Sequence, residues 1–271
     1  MRALLWGPLM KLSGADHQAA ETVTNEVELL EASGLAVYFG GVRAVDGVDL
    51  VVKKSEILGL IGPNGAGKTT LVNALSGFQK LTAGTVTMNG RDVTGLSPYR
   101  LARRGLARTF QSVRLFPGLT VLENVELGGV GVGMRRPAAR KWARELLERL
   151  KLDDKASLYG TGLPHGLERR LGIVRALAAK PTFLMLDEPA AGLNEQESDE
   201  LVGSLTLIRD DFSCALVVIE HDMRLIMRLC ERIQVLDYGR TISIGTPAEV
   251  RRDPAVLTAY LGRRAVDAED R

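Results

Sequence analysis

The chain has 271 residues, of which 45% are hydrophobic and 25% charged, and its formal net charge is +2. This length and balance predict a globular protein with one large domain, or a core with a subdomain. The small net charge argues against a strongly basic nucleic-acid binder, so we expect no nucleic acid among its partners. No apolar run approaches the roughly 20 residues that a membrane-spanning helix needs.

The start of the chain and its two cysteines carry little functional signal. Gly7 and Pro8 interrupt a short apolar stretch and no convincing cleavage site follows, so we expect no signal peptide. We interpret residues 1–25 as a weakly ordered extension. Cys214 and Cys230 both lie in apolar-rich stretches. They are predicted to be packed thiols in a reducing compartment, without a disulfide or a metal.

Short extended runs fill residues 27–52, with Asp46-Gly47 as a turn signal between two of them. They predict an antiparallel sheet. An apolar strand, Ile57–Ile61, follows, and then a helix from Lys68 to about Leu75. The string GTVTMNG predicts another strand that ends in a turn at Asn89-Gly90.

From Ser97 to about Arg170 the pattern is one of helices and loops. Helices are predicted from Pro98 to Arg104 and from Pro137 to Leu150. Between them, residues 128–134 read GGVGVGM, which predicts a flexible loop.

Beyond Arg170, buried apolar strands alternate with helices, which indicates a mostly parallel sheet covered on both faces. The strands are predicted at FLMLDE, ALVVIEH and RIQVLDYG. Helices from Glu195 to Ile208 and from Met223 to Cys230 lie between them. The predicted fold is α/β: a P-loop NTPase (RecA-like) core with an N-terminal antiparallel β subdomain and an inserted α-helical subdomain. The predicted units are the extension 1–25, the β subdomain and first half of the core 26–96, the helical subdomain 97–170, the second half of the core 171–248, and a C-terminal helix and tail 249–271.

The strongest motif is a full match to GxxxxGK[ST] between the predicted strand and helix. Its residues are Gly62, Pro63, Asn64, Gly65, Ala66, Gly67, Lys68, Thr69 and Thr70. Glycines let backbone N–H groups turn inward around phosphates, and the helix adds its positive end. Lys68 is predicted to reach the β- and γ-phosphates, and the Thr69 hydroxyl to bind Mg²⁺.

Two further apolar strands end in polar residues at the edge where α/β sheets bind ligands. Asp187 is predicted to hold the Mg²⁺ shell, and Glu188 to polarise the attacking water as a general base. His221 follows the other strand and is predicted to contact the γ-phosphate or that water. A solvated acidic strand end and a structural histidine are the plainer alternatives.

Together these residues resemble the nucleotide-binding subunit of an ATP-binding-cassette (ABC) transporter, over about residues 27–262. The resemblance implies that Gln111, in ARTFQ, touches Mg²⁺ and senses the membrane partner, and that Phe39 stacks on adenine, with Tyr38 a poorer choice. Residues 190–194 match the D-loop. The strings FGGVRAVDGVDL, RTFQSVRLFPGLTVLENV, MLDEPAAGLN and DPAVLTAYLG resemble the ATPase subunit of branched-chain amino-acid importers.

This resemblance implies ATP and Mg²⁺ as cofactors, with Thr69, Gln111 and Asp187 toward the metal and Glu188, His221 and Gln111 in catalysis. It implies transmembrane permease subunits and a second ABC ATPase subunit as partners, with a periplasmic solute-binding protein acting indirectly. The expected location is peripheral, at the cytoplasmic face of the inner membrane.

One motif departs from the family. Where the family has Leu-Ser-Gly-Gly-Gln, this chain has Leu163 followed by Pro164, His165, Gly166 and Leu167. This signature segment touches the ATP of the opposite subunit in the family. Pro164 brings neither an N–H nor a hydroxyl, although Gly166 is retained. In a heterodimer we therefore expect an intact ATP site in this chain and a weakened site where its signature meets the partner's ATP; in a homodimer both sites would be weakened.

Three alternatives stay open. The cassette could energise another cargo, such as urea, an amide or a lipid. It could be a soluble ABC protein of DNA repair or translation, although the long insertions or second cassette typical of those proteins are missing from the sequence. It could also be a nucleotide-binding regulatory module with low turnover.

Overall fold

The computed structural model describes residues 29–260, which form two sheets flanked by helices. The predicted extension 1–25 and the end of the C-terminal tail lie outside this range. The strands are β1 Leu29–Phe39, β2 Val42–Lys53, β3 Ile57–Ile61, β4 Ala83–Met88, β5 Arg91–Asp92, β6 Leu106–Arg108, β7 Phe183–Asp187, β8 Ala215–Ile219, β9 Arg232–Asp237 and β10 Arg240–Gly245. The helices are α1 Lys68–Leu75, α2 Pro98–Arg103, α3 Val121–Gly131, α4 Arg136–Arg149, α5 His165–Leu177, α6 Glu195–Phe212, α7 Met223–Leu229 and α8 Pro247–Val250. A short 3₁₀ turn, Asp153–Lys155, follows α4, and residues 254–260 are helical.

The two sheets differ in direction. The N-terminal sheet has the order β2-β1-β4-β5 and is antiparallel. The second has the order β10-β9-β3-β8-β7-β6, and all its pairs are parallel except β10 with β9. Every residue of β3, β7 and β8 is buried, as expected for parallel strands covered on both faces. The carboxyl ends of these strands therefore meet at one edge, where the polar residues of the site follow.

The predicted fold class is confirmed, as are the P-loop strand and helix, the Asn89-Gly90 turn and the later strands. Helix ends differ by only a few residues, for example α4 at 136–149 against the predicted 137–150. Both cysteines are buried free thiols. The domain boundaries stay predictions; the one placed at 170/171 falls inside α5. Within residues 29–260, no helix is both long and apolar enough to cross a membrane.

The turn predicted at Asp46-Gly47 is wrong. Both residues lie inside β2, and the chain reverses at Gly40-Gly41 instead, where Phe39 pairs with Val42. The Asp46 carboxylate accepts hydrogen bonds from Arg240 at 2.6 Å and from Tyr38 at 2.8 Å. Because these long-range contacts hold Asp46 in the strand, the Asp-Gly pair forms a bulge with Gly47 at φ +72°.

The flexible loop predicted over residues 128–134 is also wrong at its start, since residues 128–131 form the end of α3. This helix, missing from the sequence prediction, opens with a capping box between Thr120 and Glu123. A Cβ on Gly128 would lie 2.1 Å from the carbonyl oxygen of Arg175 in α5. The glycine therefore permits close packing of two helices, which local turn propensity does not reveal.

Candidate nucleotide site

The phosphate-binding loop joins β3 to α1 in the conformation that its sequence predicts. Gly62, Gly65 and Gly67 have φ values of +151°, +76° and +99°. A Cβ on Gly62 would lie 2.1 Å from the Leu236 carbonyl oxygen, and one on Gly67 2.2 Å from that of Ala44. Helix α1 has no side-chain cap, so its first N–H groups are left for an anion.

The Lys68 side chain folds back over this loop. Its ammonium donates to the carbonyl oxygens of Gly62 at 2.6 Å and Pro63 at 3.0 Å. These contacts keep the positive charge at the mouth of the loop, where phosphate oxygens would be its stronger acceptors.

Thr69, Gln111 and Asp187 line one cavity of about 670 Å³, although they come from three separate segments of the chain. A hydroxyl, an amide and a carboxylate are hard oxygen donors of the kind that Mg²⁺ prefers. Within the described residues, no group of three or more His, Cys, Asp or Glu side chains is placed to hold a metal. Mg²⁺ held by these three donors would take its remaining ligands from water and phosphate.

Glu188 follows Asp187 at the end of β7 and has a positive φ of +46°, unusual for a non-glycine residue. Its backbone N–H donates to the carbonyl oxygen of Ile219 at 2.9 Å, which holds this turn against β8. The Gln111 amide donates to the Glu188 carboxylate at 2.6 Å. The structure thus brings together the predicted base and the predicted sensor residue.

His221 is placed at the end of β8 with its side chain 65% exposed. Its Nδ1 lies 3.9 Å from Glu220, and it does not line the cavity of Thr69, Gln111 and Asp187. Phe39 is 48% exposed at the end of β1 and does not line that cavity either. Its neighbour Tyr38 is engaged elsewhere, because its hydroxyl bonds to Asp46.

The signature segment begins α5, with Pro164 at the cap position and no side-chain cap. Gly166 is buried beneath Glu197 of α6; a Cβ on Gly166 would lie 2.5 Å from the Glu197 Oε1. The imidazole of His165 packs over Gly192, in the segment matched to the D-loop. His165 also lines the same cavity as Thr69. Leu167 is partly buried against the core.

Two charged residues at this edge were missed as site residues. Arg108 pairs with Asp187 at 2.7 Å. Glu220, 1% exposed, accepts hydrogen bonds from the backbone N–H groups of Ala190 at 2.7 Å and His221 at 3.1 Å. Burial raises the pKa of the Glu220 carboxyl. A charge at the end of a short apolar run was the available signal in both cases.

A largely apolar groove of about 520 Å³ lies beside the site, between the sheet and the helical segment. Three exposed aromatic rings line it: Phe78, Phe110 and Phe116, which are 53%, 40% and 51% exposed. Asp187 and Arg108 line both this groove and the cavity of Thr69. The groove therefore adjoins the predicted metal carboxylate.

Comparison with known proteins agrees with this geometry. The ABC transporter family model matches residues 45–191, and the model described as branched-chain amino acid ATP-binding cassette transporter matches residues 240–266. The chain is 43% identical over 249 residues to the high-affinity branched-chain amino acid transport ATP-binding protein LivG of Salmonella typhimurium. It is 40% identical over 252 residues to BraF of Pseudomonas aeruginosa, described in the same terms. Each alignment covers 86% of this chain and 98% of the relative.

Solved structures give the same result. A nucleotide-free ATP-binding cassette from an ABC transporter matches with a TM-score of 0.79 at 28% identity, over 86% of this chain and 98% of that one. The ADP conformation of the cassette MJ1267 matches with a TM-score of 0.79 at 29% identity, over 87% of this chain and 99% of that one. By sequence motif, fold and relatives alike, the chain belongs to the ABC transporter family, as an ATP-binding cassette.

Proposed function

We propose that this protein is the ATP-hydrolysing subunit of an importer for branched-chain amino acids. The observation that carries the proposal is the site edge itself: Thr69 of the P-loop motif lines one cavity with Asp187 and Gln111, and Gln111 donates a hydrogen bond to Glu188. The cargo rests on LivG and BraF, whose names specify branched-chain amino acid transport.

In this proposal the P-loop N–H groups and Lys68 bind the phosphates of ATP, and the Phe39 ring stacks on adenine. Thr69, Asp187 and Gln111 hold Mg²⁺, which when bound neutralises charge on the β- and γ-phosphates. Glu188 takes a proton from the attacking water, and His221 orients the γ-phosphate. For Gln111 to serve the metal, its amide oxygen must face the ion while its nitrogen keeps the Glu188 contact.

A second cassette completes the ATP site. A solved dimeric cassette bound to ADP and Pi matches this chain with a TM-score of 0.70 at 27% identity, over 80% of this chain and 98% of that one. In the dimer, Pro164, His165, Gly166 and Leu167 would face the partner's ATP. Because Pro164 supplies neither a hydroxyl nor an N–H, we expect the partner's site to be the weaker one in a heterodimer.

The groove with Phe78, Phe110 and Phe116 is the proposed docking surface for a transmembrane permease subunit. It exposes aromatic rings next to Gln111, so a partner seated there would touch the segment that holds Glu188. The protein would then be peripheral at the cytoplasmic face of the membrane, and a periplasmic binding protein would act through the permease.

Hydrolysis is tested with Glu188→Gln in the assembled complex. We expect ATP binding to persist and turnover to fall by about 10²-fold or more, since a general base typically contributes that much. Glu195→Gln, an acidic residue in the first turn of α6, is the matched control and should leave turnover unchanged. Substantial residual hydrolysis in Glu188→Gln would contradict the asymmetric picture.

Cargo is tested by uptake of labelled leucine, urea and a short amide into vesicles that hold the complex. Leucine uptake that requires ATP supports the branched-chain assignment, and uptake of another solute in its place would refute it. A complex that binds ATP but neither hydrolyses it nor moves any solute would instead favour the regulatory module.

A further inference from the structure

Arg108 lies where the helical segment meets the site. It is the last residue of β6, which pairs in parallel with β7 so that Arg108 is opposite Met185. The Thr109 N–H then donates to the Met185 carbonyl oxygen at 2.9 Å. This register directs the Arg108 side chain toward Asp187, two residues further along β7.

The guanidinium is buried, and both of its terminal nitrogens donate hydrogen bonds to side chains. Its side chain is 4% exposed, and Nη2 donates to Asp187 Oδ2, itself on a side chain 9% exposed, at 2.7 Å. Nη1 donates to Asn73 Oδ1 at 2.5 Å and to Ser76 Oγ at 3.1 Å, both from the P-loop helix and its end. One cation therefore joins β6, β7 and α1 at the cavity that Thr69, Gln111 and Asp187 line.

Its other contacts face the groove. The guanidinium carbon lies 5.0 Å from the ring centre of Phe110 and 5.9 Å from that of Phe78. These two rings also meet edge to face, with centres 5.1 Å apart. Nε is buried and has no hydrogen-bond partner among the described residues. A cation in this position is shielded from water, so its charge acts on Asp187 with little screening.

We propose that Arg108 is a positioning residue that, through its ion pair with Asp187, keeps the nucleotide-free site from binding a divalent metal. Its charge offsets that of Asp187. The other charged residues that line the cavity add no net negative charge; they are Arg114, Glu168 and Arg169. The nucleotide-free site therefore lacks the net negative charge that would attract a divalent cation. The phosphates of ATP restore that charge, and the metal is then held by ATP and Asp187 together. The inference rests on the proposed placement of Mg²⁺ at Thr69 and Asp187.

The test measures Mn²⁺ binding to the purified full chain by electron paramagnetic resonance, with and without a non-hydrolysable ATP analogue. For Arg108→Gln we expect Mn²⁺ affinity without nucleotide to rise about tenfold or more, because a buried unit charge beside a divalent ion is removed. Arg108→Lys keeps the charge and should retain the low wild-type Mn²⁺ affinity without nucleotide.

Two further variants complete the design. Arg104→Gln is the matched control, because Arg104 donates to the Asp92 carbonyl oxygen at 3.4 Å on the exposed side and does not line the cavity, and it should bind Mn²⁺ like the wild type. Arg108→Met, which fills the same space between the two rings, replaces Arg108→Gln if the latter has lost its cooperative thermal transition. Unchanged nucleotide-free Mn²⁺ affinity in a folded, uncharged Arg108 variant would overturn the inference.

Asp187→Asn separates this inference from the proposed function. If Asp187→Asn leaves Mn²⁺ affinity in the presence of nucleotide unchanged, Asp187 does not bind the metal, and the inference about Arg108 fails while ATP hydrolysis by the subunit stands. If Asp187→Asn loses that binding while the neutral Arg108 variants behave like the wild type, only the role of Arg108 is refuted.

Discussion

The close packing of α3 on α5 makes Gly128→Ala a sharp test of the structure. The new Cβ would lie 2.1 Å from the Arg175 carbonyl oxygen and 3.0 Å from the Ala178 Cβ. The first neighbour is helix backbone, which cannot rotate away as a side chain can. One of the two helices must therefore shift, and α5 is the helix that begins at the signature segment.

The magnitude follows from two opposing effects. Replacing glycine by alanine in a helix gains about 0.5–1 kcal/mol from backbone entropy. Overpacking by one methyl against a rigid neighbour costs about 1–3 kcal/mol. Because the neighbour at 2.1 Å is helix backbone, we expect a cost in the upper part of this range, about 2–3 kcal/mol. The net loss in the free energy of unfolding is then about 1–2.5 kcal/mol, which for a domain of this size lowers Tm by about 2–10 °C.

The assay is thermal and urea unfolding of Gly128→Ala beside Gly203→Ala. Gly203 lies within α6, and its Cβ would meet nothing within 4 Å. The control should therefore gain about 0.5–1 kcal/mol, as an unopposed helix substitution does. If Gly128→Ala proved as stable as the wild type or as Gly203→Ala, residues 128–131 would not pack as described.

Glu220→Ala should lower the free energy of unfolding by about 1–3 kcal/mol in urea titrations, because it leaves the N–H groups of Ala190 and His221 without their acceptor. Burial raises the pKa of Glu220 in the folded state. The stability linked to its protonated carboxyl is therefore fully present below the unfolded pKa and is lost as pH rises through the folded pKa. The stability of Glu220→Gln relative to the wild type should consequently rise with pH across that window and then level off; a flat difference would contradict this. Burial also raises the pKa of the Cys214 thiol to about 12, and Cys230 is buried too. Both should react with a thiol reagent at pH 8 only after unfolding, and rapid labelling of the native protein would refute their burial.

Local sequence patterns were sufficient to predict the structure wherever a residue's conformation depends on its sequence neighbours. The glycine spacing from Gly62 to Gly67 predicts the P-loop conformation because glycine tolerates the positive φ values needed there. The apolar run ending at Asp187 and Glu188 predicts a buried strand with carboxylates at its end. Parallel-strand geometry then places these carboxylates at the same edge of the sheet as the P-loop.

Local patterns failed where a distant contact decides the outcome. Asp46-Gly47 has the composition of a turn, but Arg240 and Tyr38 hold it in a strand. Gly128 has the composition of a loop, but the carbonyl of Arg175 requires a glycine inside a helix.

The sequence by itself predicted a phosphate site at residues 62–70 and the resemblance to an ABC cassette, because those motifs are contiguous and carry their own backbone chemistry. Only the tertiary structure decided that Arg108, one arginine among several in its segment, is the buried partner of Asp187. The reason is physical: an ion pair between strands that are far apart in sequence depends on strand order and register, and neither is written in the neighbouring residues.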